Sequence, residues 1–205
     1  FYMSSPYAQE TANIAKKFPG AISYSLIIKG SSENDIQRQD VLRNIERLQD
    51  YLNLDPKVGG SLSVIDFLKR MNVVIHYGDE RYYHLPRIGD PDIGYYEDTE
   101  TVQKAVGEYL FMYSLGTAGE FDFLVDYEYK NTNINVFLKD MEAQTIRDII
   151  AKTKDYVAKH WNAKGVTVEI AGGLAGVVGA INEELGTGLL ENMLQITSIV
   201  FFFCA

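Results

Sequence analysis

A strand–helix–strand order occurs twice in this chain, and it limits the fold more than any other feature. The predicted segments are strand 22–28, helix 40–54 and strand 58–64, then strand 133–139, helix 144–161 and strand 166–171. Val41, Ile45 and Leu48 show the 3.6-residue period of a helix with one buried face. Parallel strands within each unit need a crossover, which a helix of this length provides. The order predicts an α+β fold with a ferredoxin-like βαββαβ core and its helices packed on one face of the sheet.

Five segments follow from this pattern and from the turn signals between its parts. They are a membrane-proximal connector (1–20), a first βαβ unit (21–64), an insertion of helices and tyrosine-rich loops (65–130), a second βαβ unit (131–185) and the start of a transmembrane helix (186–205). The last ten residues are apolar except for Thr197 and Ser198. A soluble domain seldom exposes such a run, and a helix needs about 20 residues to span a bilayer. We therefore expect an extramembrane segment of a longer membrane protein.

Charge and composition exclude several classes of protein. The formal net charge is -9, whereas a nucleic-acid-binding domain or a domain that docks on anionic lipid needs a basic surface. Hydrophobic residues make up 46% and charged residues 23%, which is typical of a folded globular chain. We expect no nucleic-acid partner.

The three histidines form no recognisable catalytic or metal-binding motif. His76, His84 and His160 lack the His-Glu-x-x-His spacing, and the only cysteine, Cys204, lies in the terminal apolar run. His76 and His84 flank Asp79 in a loose cluster. We interpret these histidines as surface or loop residues and not as metal ligands. The sequence thus predicts no metal site and no catalytic residue.

A glycine-rich segment at 172–179 follows a strand, as a dinucleotide-binding fingerprint does. Its spacing departs from Gly-x-Gly-x-x-Gly, so we expect close packing or a tight turn there and no nucleotide cofactor. Asp122, Asp126 and Glu128 alternate along a predicted strand, which favours a solvated strand face. Paired acids for glycosidic chemistry stay open as an alternative.

Aromatic and methionine side chains in the insertion are the candidate substrate contacts. They are Met71, Tyr82, Tyr83, Phe111 and Met112. Side chains of these types line apolar ligand pockets and adapt to varied ligands. Ordinary core and loop packing is the alternative interpretation.

Several motifs together resemble the first large extracytoplasmic loop of exporters of the RND superfamily, of the kind related to MMPL lipid exporters and hopanoid transporters. The distinctive stretch is Ser63-Val64-Ile65-Asp66-Phe67-Leu68-Lys69-Arg70-Met71-Asn72. The accompanying motifs are Phe18-Pro19-Gly20, Pro56-x-Val58, Tyr82-Tyr83-His84-Leu85-Pro86 and Ile170-Ala171-Gly172-Gly173. The resemblance covers nearly the whole chain.

The resemblance implies a periplasmic substrate-conducting (porter) domain of a proton-driven exporter of lipids or other amphiphiles in the bacterial inner membrane. Its implied partners are an amphiphilic small molecule, the second periplasmic loop of the same transporter and the membrane through flanking helices, and a homo-oligomer stays open. No proton-relay or cofactor-binding residue transfers to this chain. A ligand-sensing extracytoplasmic domain of a membrane receptor is the main alternative, and a soluble enzyme is a third.

Overall fold

The computed structural model describes most of the chain between its two flanks. The described residues are 10, 13, 17–20, 22–89, 98–116, 123–140, 142–170, 188 and 192–200. The sequence also predicts a small apolar helix over 174–185. That segment lies outside the described residues, as do Asp122 and the glycine-rich segment 172–179.

Four strands and four long helices make up the described part between residues 22 and 170. The strands are β1 (Ile22–Gly30), β2 (Val58–Ser63), β3 (Asn131–Leu138) and β4 (Val166–Ile170). The helices are α1 (Gln39–Asn53), α2 (Val64–Ile75), α3 (Thr99–Gly116) and α4 (Ala143–His160). Single 3-10 turns stand at Asp35–Gln37 and Glu80–Tyr82. The strand–helix–strand order predicted from the sequence is therefore confirmed for both units, with boundaries shifted by a few residues.

The four strands form one antiparallel sheet in the order β2-β3-β1-β4. β3 and β4 both pair with β1 in antiparallel fashion, and β2 pairs with the other side of β3. Because each pairing reverses direction, β1 runs parallel to β2 and β3 runs parallel to β4. The two strands of each unit are separated by one strand of the other unit, so the fold is α+β with interleaved units.

One face of the sheet carries the core. Ile22, Tyr24, Leu26 and Ile28 alternate with less buried residues along β1, as strand geometry requires. Apolar residues of β3, α1 and α4 complete the same cluster. In α1 the buried stripe includes Val41, Ile45, Leu48 and Leu52, as the sequence period predicts. The opposite face is more polar, and there the Ser25 hydroxyl donates to Asn135 Oδ1 at 2.7 Å.

Side-chain caps set the beginnings of two helices. Ser63 caps α2 by accepting from the Ile65 N–H, and Asp66 accepts from the Ser63 N–H in return. For α3 the sequence predicts Thr99 or Thr101 as the N-terminal cap, and the structure differs. There the Asp98 carboxylate accepts from both the backbone N–H and the hydroxyl of Thr101, at 2.8 and 2.7 Å. An ionised carboxylate also interacts favourably with the positive end of the helix dipole.

The strand predicted before β3 is wrong for its described residues, which form a turn with one isolated bridge between Val125 and Thr132. Asp126 does not alternate on a strand face. Its carboxylate accepts from the N–H groups of Lys130 and Asn131, and this closes the turn. Local side-chain acceptors of this kind compete with strand pairing.

β4 runs antiparallel to β1, toward the end of the sheet at which β1 starts, but it stops halfway along that strand. β1 starts at Ile22, and β4 ends at Ile170, which pairs with Leu26. The four residues between those levels span about 13 Å along a strand. Residues 65–130, called the insertion below, follow β2, which runs toward the opposite end of the sheet and also stops level with Leu26. They lead into β3, which starts at that opposite end.

Residues 192–200 are helical, and every one of them is exposed. They include the large apolar side chains Met193, Leu194, Ile196, Ile199 and Val200. Within the described ranges, no helix has both the length and the apolar character needed to cross a membrane.

Candidate functional site

The C-terminal end of α2 forms an unusual turn, which begins the loop that follows this helix (described over residues 77–89). The Gly78 N–H donates to the Val73 carbonyl at 2.9 Å and the Tyr77 N–H to the Val74 carbonyl at 3.2 Å. This is the Schellman arrangement, in which one residue adopts the left-handed conformation. That residue is Tyr77, with φ of 58°, and Gly78 follows with φ of 83°. A bulky residue at positive φ is uncommon because its Cβ crowds the backbone, so this turn carries local strain.

Asn72 fastens the loop that follows this turn. Its buried amide Nδ2 donates to the carbonyls of Tyr82 and His84, at 2.9 and 3.1 Å. Its Oδ1 accepts from the Tyr109 hydroxyl of α3 at 3.0 Å. One side chain therefore joins α2, the loop and α3, and each of these bonds would leave a polar group unsatisfied if it broke.

A stacked pair of rings and an ion pair stabilise the loop next to the end of α2. The His76 and Tyr82 rings lie nearly parallel, with centroids 4.0 Å apart. Asp79 caps the 3-10 turn by accepting from the Arg81 N–H at 3.0 Å, and its carboxylate pairs with the Arg81 guanidinium at 2.6 Å. These hydrogen bonds from the Arg81 side chain and backbone lower the pKa of Asp79, so its carboxylate is ionised at neutral pH.

An open pocket of about 520 Å³ lies at this turn, lined by His76, Tyr77, Gly78, Asp79 and Tyr82. The lining offers aromatic faces, an imidazole and a carboxylate. The negative end of the α2 dipole points toward the same place. Among the residues that the structure describes, no three His, Cys, Asp or Glu side chains come together as a metal site would require.

Of the residues predicted to contact substrate, Tyr82 is the only one that lines this pocket. Tyr83 follows the 3-10 turn with its ring 5.0 Å from the Arg70 guanidinium, a cation–π distance. Met71 is partly buried and packs against the core. Arg70 also pairs with Glu80 at 2.7 Å, so Tyr83 and the turn are held against α2.

The other two predicted contacts lie on the outer side of α3. Phe111 and Met112 are 58% and 40% exposed, and Leu115 adds a third exposed apolar side chain. These spacings place the three side chains on one surface of the helix. They do not line the pocket at the end of α2, so the predicted contacts occupy separate surfaces of the insertion.

Sequence reasoning missed His76, Tyr77 and Asp79 as pocket residues, because it interpreted His76 as a loop histidine without a binding role. A usable signal was present: Tyr77-Gly78 directly follows the apolar period of α2, where a helix C-terminal turn is expected. The stacking of His76 on Tyr82 had no local signal. Comparison with protein-family models and with curated proteins finds no match for this chain.

Proposed function

We propose that this chain is the extracytoplasmic, substrate-conducting domain of an RND-type exporter of lipids or other amphiphiles, facing the periplasm of a bacterial inner membrane. The observation that carries the proposal is the direction of the two outer strands of the chain, since β4 runs antiparallel to β1 and so heads toward the end of the sheet at which β1 starts. A domain held by membrane helices on both sides needs both connections on its membrane-facing side.

The exposed apolar helix at 192–200 supports the same orientation. Its side chains have no partner in the core of the described domain, since all nine residues are exposed. Lipid or neighbouring membrane helices would cover such a surface, because apolar area of this kind is costly to leave in water.

We propose further that the sheet is of the ferredoxin-like, split βαβ type with a porter role. The interleaved order β2-β3-β1-β4 and the two crossovers through α1 and α4 support this assignment. A rigid α/β unit of this kind can tilt as one body against a second unit and so open or close a passage.

The insertion supplies the surfaces for cargo and for the second periplasmic loop of the transporter. β2 runs toward the end of the sheet opposite to the start of β1, and β3 starts at that opposite end, so the insertion is connected there. Phe111, Met112 and Leu115 on α3 are the surface most suited to an amphiphile's apolar part.

The test is export by the whole protein that carries this chain, reconstituted in vesicles with a proton gradient and a fluorescent amphiphile. The double change Phe111→Ser with Met112→Ser should lower the initial export rate severalfold. Leu54→Ser is the matched control, because Leu54 is also exposed but ends α1 in the sheet unit. Export without a need for the gradient, or equal rates in both variants, contradicts the proposal.

The receptor alternative makes a different prediction for the same preparation. A sensor binds its ligand without moving it across the bilayer. Binding of the amphiphile without any gradient-driven movement would therefore favour the ligand-sensing domain over the exporter.

A further inference from the structure

We propose that the pocket at the C-terminal end of α2 binds a small organic cation, an ammonium group carried by a ligand such as choline. The inference depends on the local geometry of residues 76–82 and stands or falls separately from the export proposal. Its lining residues are His76, Tyr77, Gly78, Asp79 and Tyr82.

The exposed ring of Tyr77 is the first reason. Tyr77 sits at a left-handed position that glycine or asparagine would occupy with less strain, and its side chain is fully exposed. Because Tyr77 is fully exposed, packing within the described domain does not offset that strain. A ligand that contacts the ring would account for a tyrosine here, since strained residues persist at ligand sites.

The sign of the surrounding charges is the second reason. The faces of aromatic rings are negative, and they attract a cation that lies over them within about 6 Å. The Asp79 carboxylate and the last carbonyl groups of α2 add negative potential at the same place. All three contributions favour a cation over a neutral or anionic ligand.

The rigidity of the site is the third reason. Stacking on His76 holds the Tyr82 ring, and Asn72 holds the Tyr82 backbone carbonyl. Only Tyr77 has to settle onto the ligand, so little conformational freedom is lost on binding.

Arg81 disfavours the binding of a cation at this site, because its guanidinium already pairs with Asp79. An ammonium group would have to share or replace that contact. Neutralising Arg81 should therefore strengthen cation binding, whereas neutralising Asp79 should weaken it.

The experiment is an NMR titration of the chain with choline and, in parallel, with 3,3-dimethyl-1-butanol, its uncharged isostere. We expect choline to shift the resonances of residues 76–82 and to bind at least tenfold more tightly than the neutral alcohol. Equal affinity for the two compounds would show an apolar pocket and overturn the proposal, as would the absence of choline binding.

The decisive variant is Tyr77→Gly. It should raise Tm by about 2–4 °C, because it relieves the left-handed strain. At the same time it should weaken choline binding about 5- to 30-fold, as the loss of one cation–π contact of about 1–2 kcal/mol implies. A gain in stability with loss of binding separates a ligand role from a folding role, whereas unchanged binding contradicts the proposal.

Four further variants complete the design. Tyr77→Phe should bind choline as the unmodified chain does, because the ring face is kept. Asp79→Asn should weaken binding and Arg81→Gln should tighten it. Tyr127→Ala removes another exposed tyrosine of the insertion, outside the pocket, and should leave the titration unchanged; the opposite result for any of these variants counts against the site.

Discussion

The sheet unit (residues 22–64 and 131–170) and the insertion bury their apolar residues to different extents. In the described part of the sheet unit, Tyr51 and Leu54 are the only exposed large apolar side chains. Among its described residues the insertion exposes ten: Val74, Ile75, Tyr77, Tyr83, Ile88, Phe111, Met112, Leu115, Phe123 and Tyr127.

This difference does not arise from weak packing of the insertion. Leu68 on α2 and Leu110 on α3 belong to the same core cluster as the sheet residues and are fully buried. The insertion therefore has one face that holds it to the fold and another that its own chain leaves uncovered. The comparison teaches that the two regions share one core, whereas the outer face of the insertion is available for contacts.

The largest expected effect comes from deleting core volume in the sheet unit. Leu48 on α1 is fully buried, so Leu48→Ala should lower the free energy of unfolding by about 2–5 kcal/mol. Phe111→Ala on the outer face of α3 is the control and should change it by less than about 0.5 kcal/mol. Urea denaturation measures both, and similar losses for the two variants would remove the distinction between the regions.

The next effect is a loss of stability in alkali that originates in the sheet unit. Burial raises the pKa of Tyr24 to about 12, opposed by the hydrogen bond between its hydroxyl and Thr153. Because the pKa in the folded state lies above that of an unfolded tyrosine, the stabilisation is complete below pH 10. It is lost as the pH rises from about 10 to about 12, by on the order of 2–3 kcal/mol.

Tyr24→Phe tests the origin of that alkaline loss. Thr153 keeps its hydrogen bond to the Ile149 carbonyl, so the change should cost only about 0.5–1.5 kcal/mol at pH 7. Thermal melts between pH 8 and 12 should then show a shallower decline than the unmodified chain. An unchanged slope would assign the alkaline loss to other groups.

A smaller loss of stability is expected when the hydrogen bonds of Asn72, which join α2, the loop after it and α3, are removed. Asn72→Ala leaves the Tyr109 hydroxyl and two loop carbonyls without their partner and should cost about 1–3 kcal/mol. Amide hydrogen exchange should accelerate in residues 77–85 and stay slow in β1 and β3. Tyr109→Phe removes one of these bonds and should cost less, and a uniform acceleration across the sheet would mean that the two regions unfold together.

The smallest effect is expected outside both regions. Removing residues 196–205 should leave cooperative unfolding intact and improve solubility, because the described residues 196–200 are exposed and add nothing to the core. Calorimetry of the truncated and unmodified chains measures this, and a broadened transition after truncation would show that the segment packs on the domain.

Much of the fold could be predicted from local patterns. The stripe that includes Val41, Ile45 and Leu48 predicted which face of α1 is buried. Ser63 with Asp66 three residues later is a sequence signal for the start of a helix, and α2 begins there. The start of α3 was misjudged, since a carboxylate and a hydroxyl are both acceptable caps and only the backbone path selects Asp98. The strand expected before β3 failed because Asp126 satisfies the backbone of the turn by itself.

The candidate site was less predictable than the fold. Met71 and Tyr82 were chosen by residue type. Residue type alone does not tell whether a side chain packs against the core, as Met71 does, or lines a pocket, as Tyr82 does. The role of Asn72 depends on Tyr109, which is 37 residues away along the chain. A polar residue within an apolar stripe is ambiguous until its partners are known.

The sequence by itself determined the four long helices, the four strands of the sheet and the faces that they bury, but not the turn before β3, because periodicity depends on neighbours within a few residues. Only the tertiary structure decided the order of the strands, the direction of β4 relative to β1 and the hydrogen bond by which Tyr109 holds Asn72. Each of these depends on segments that lie far apart along the chain, whose meeting is set by packing of the whole domain.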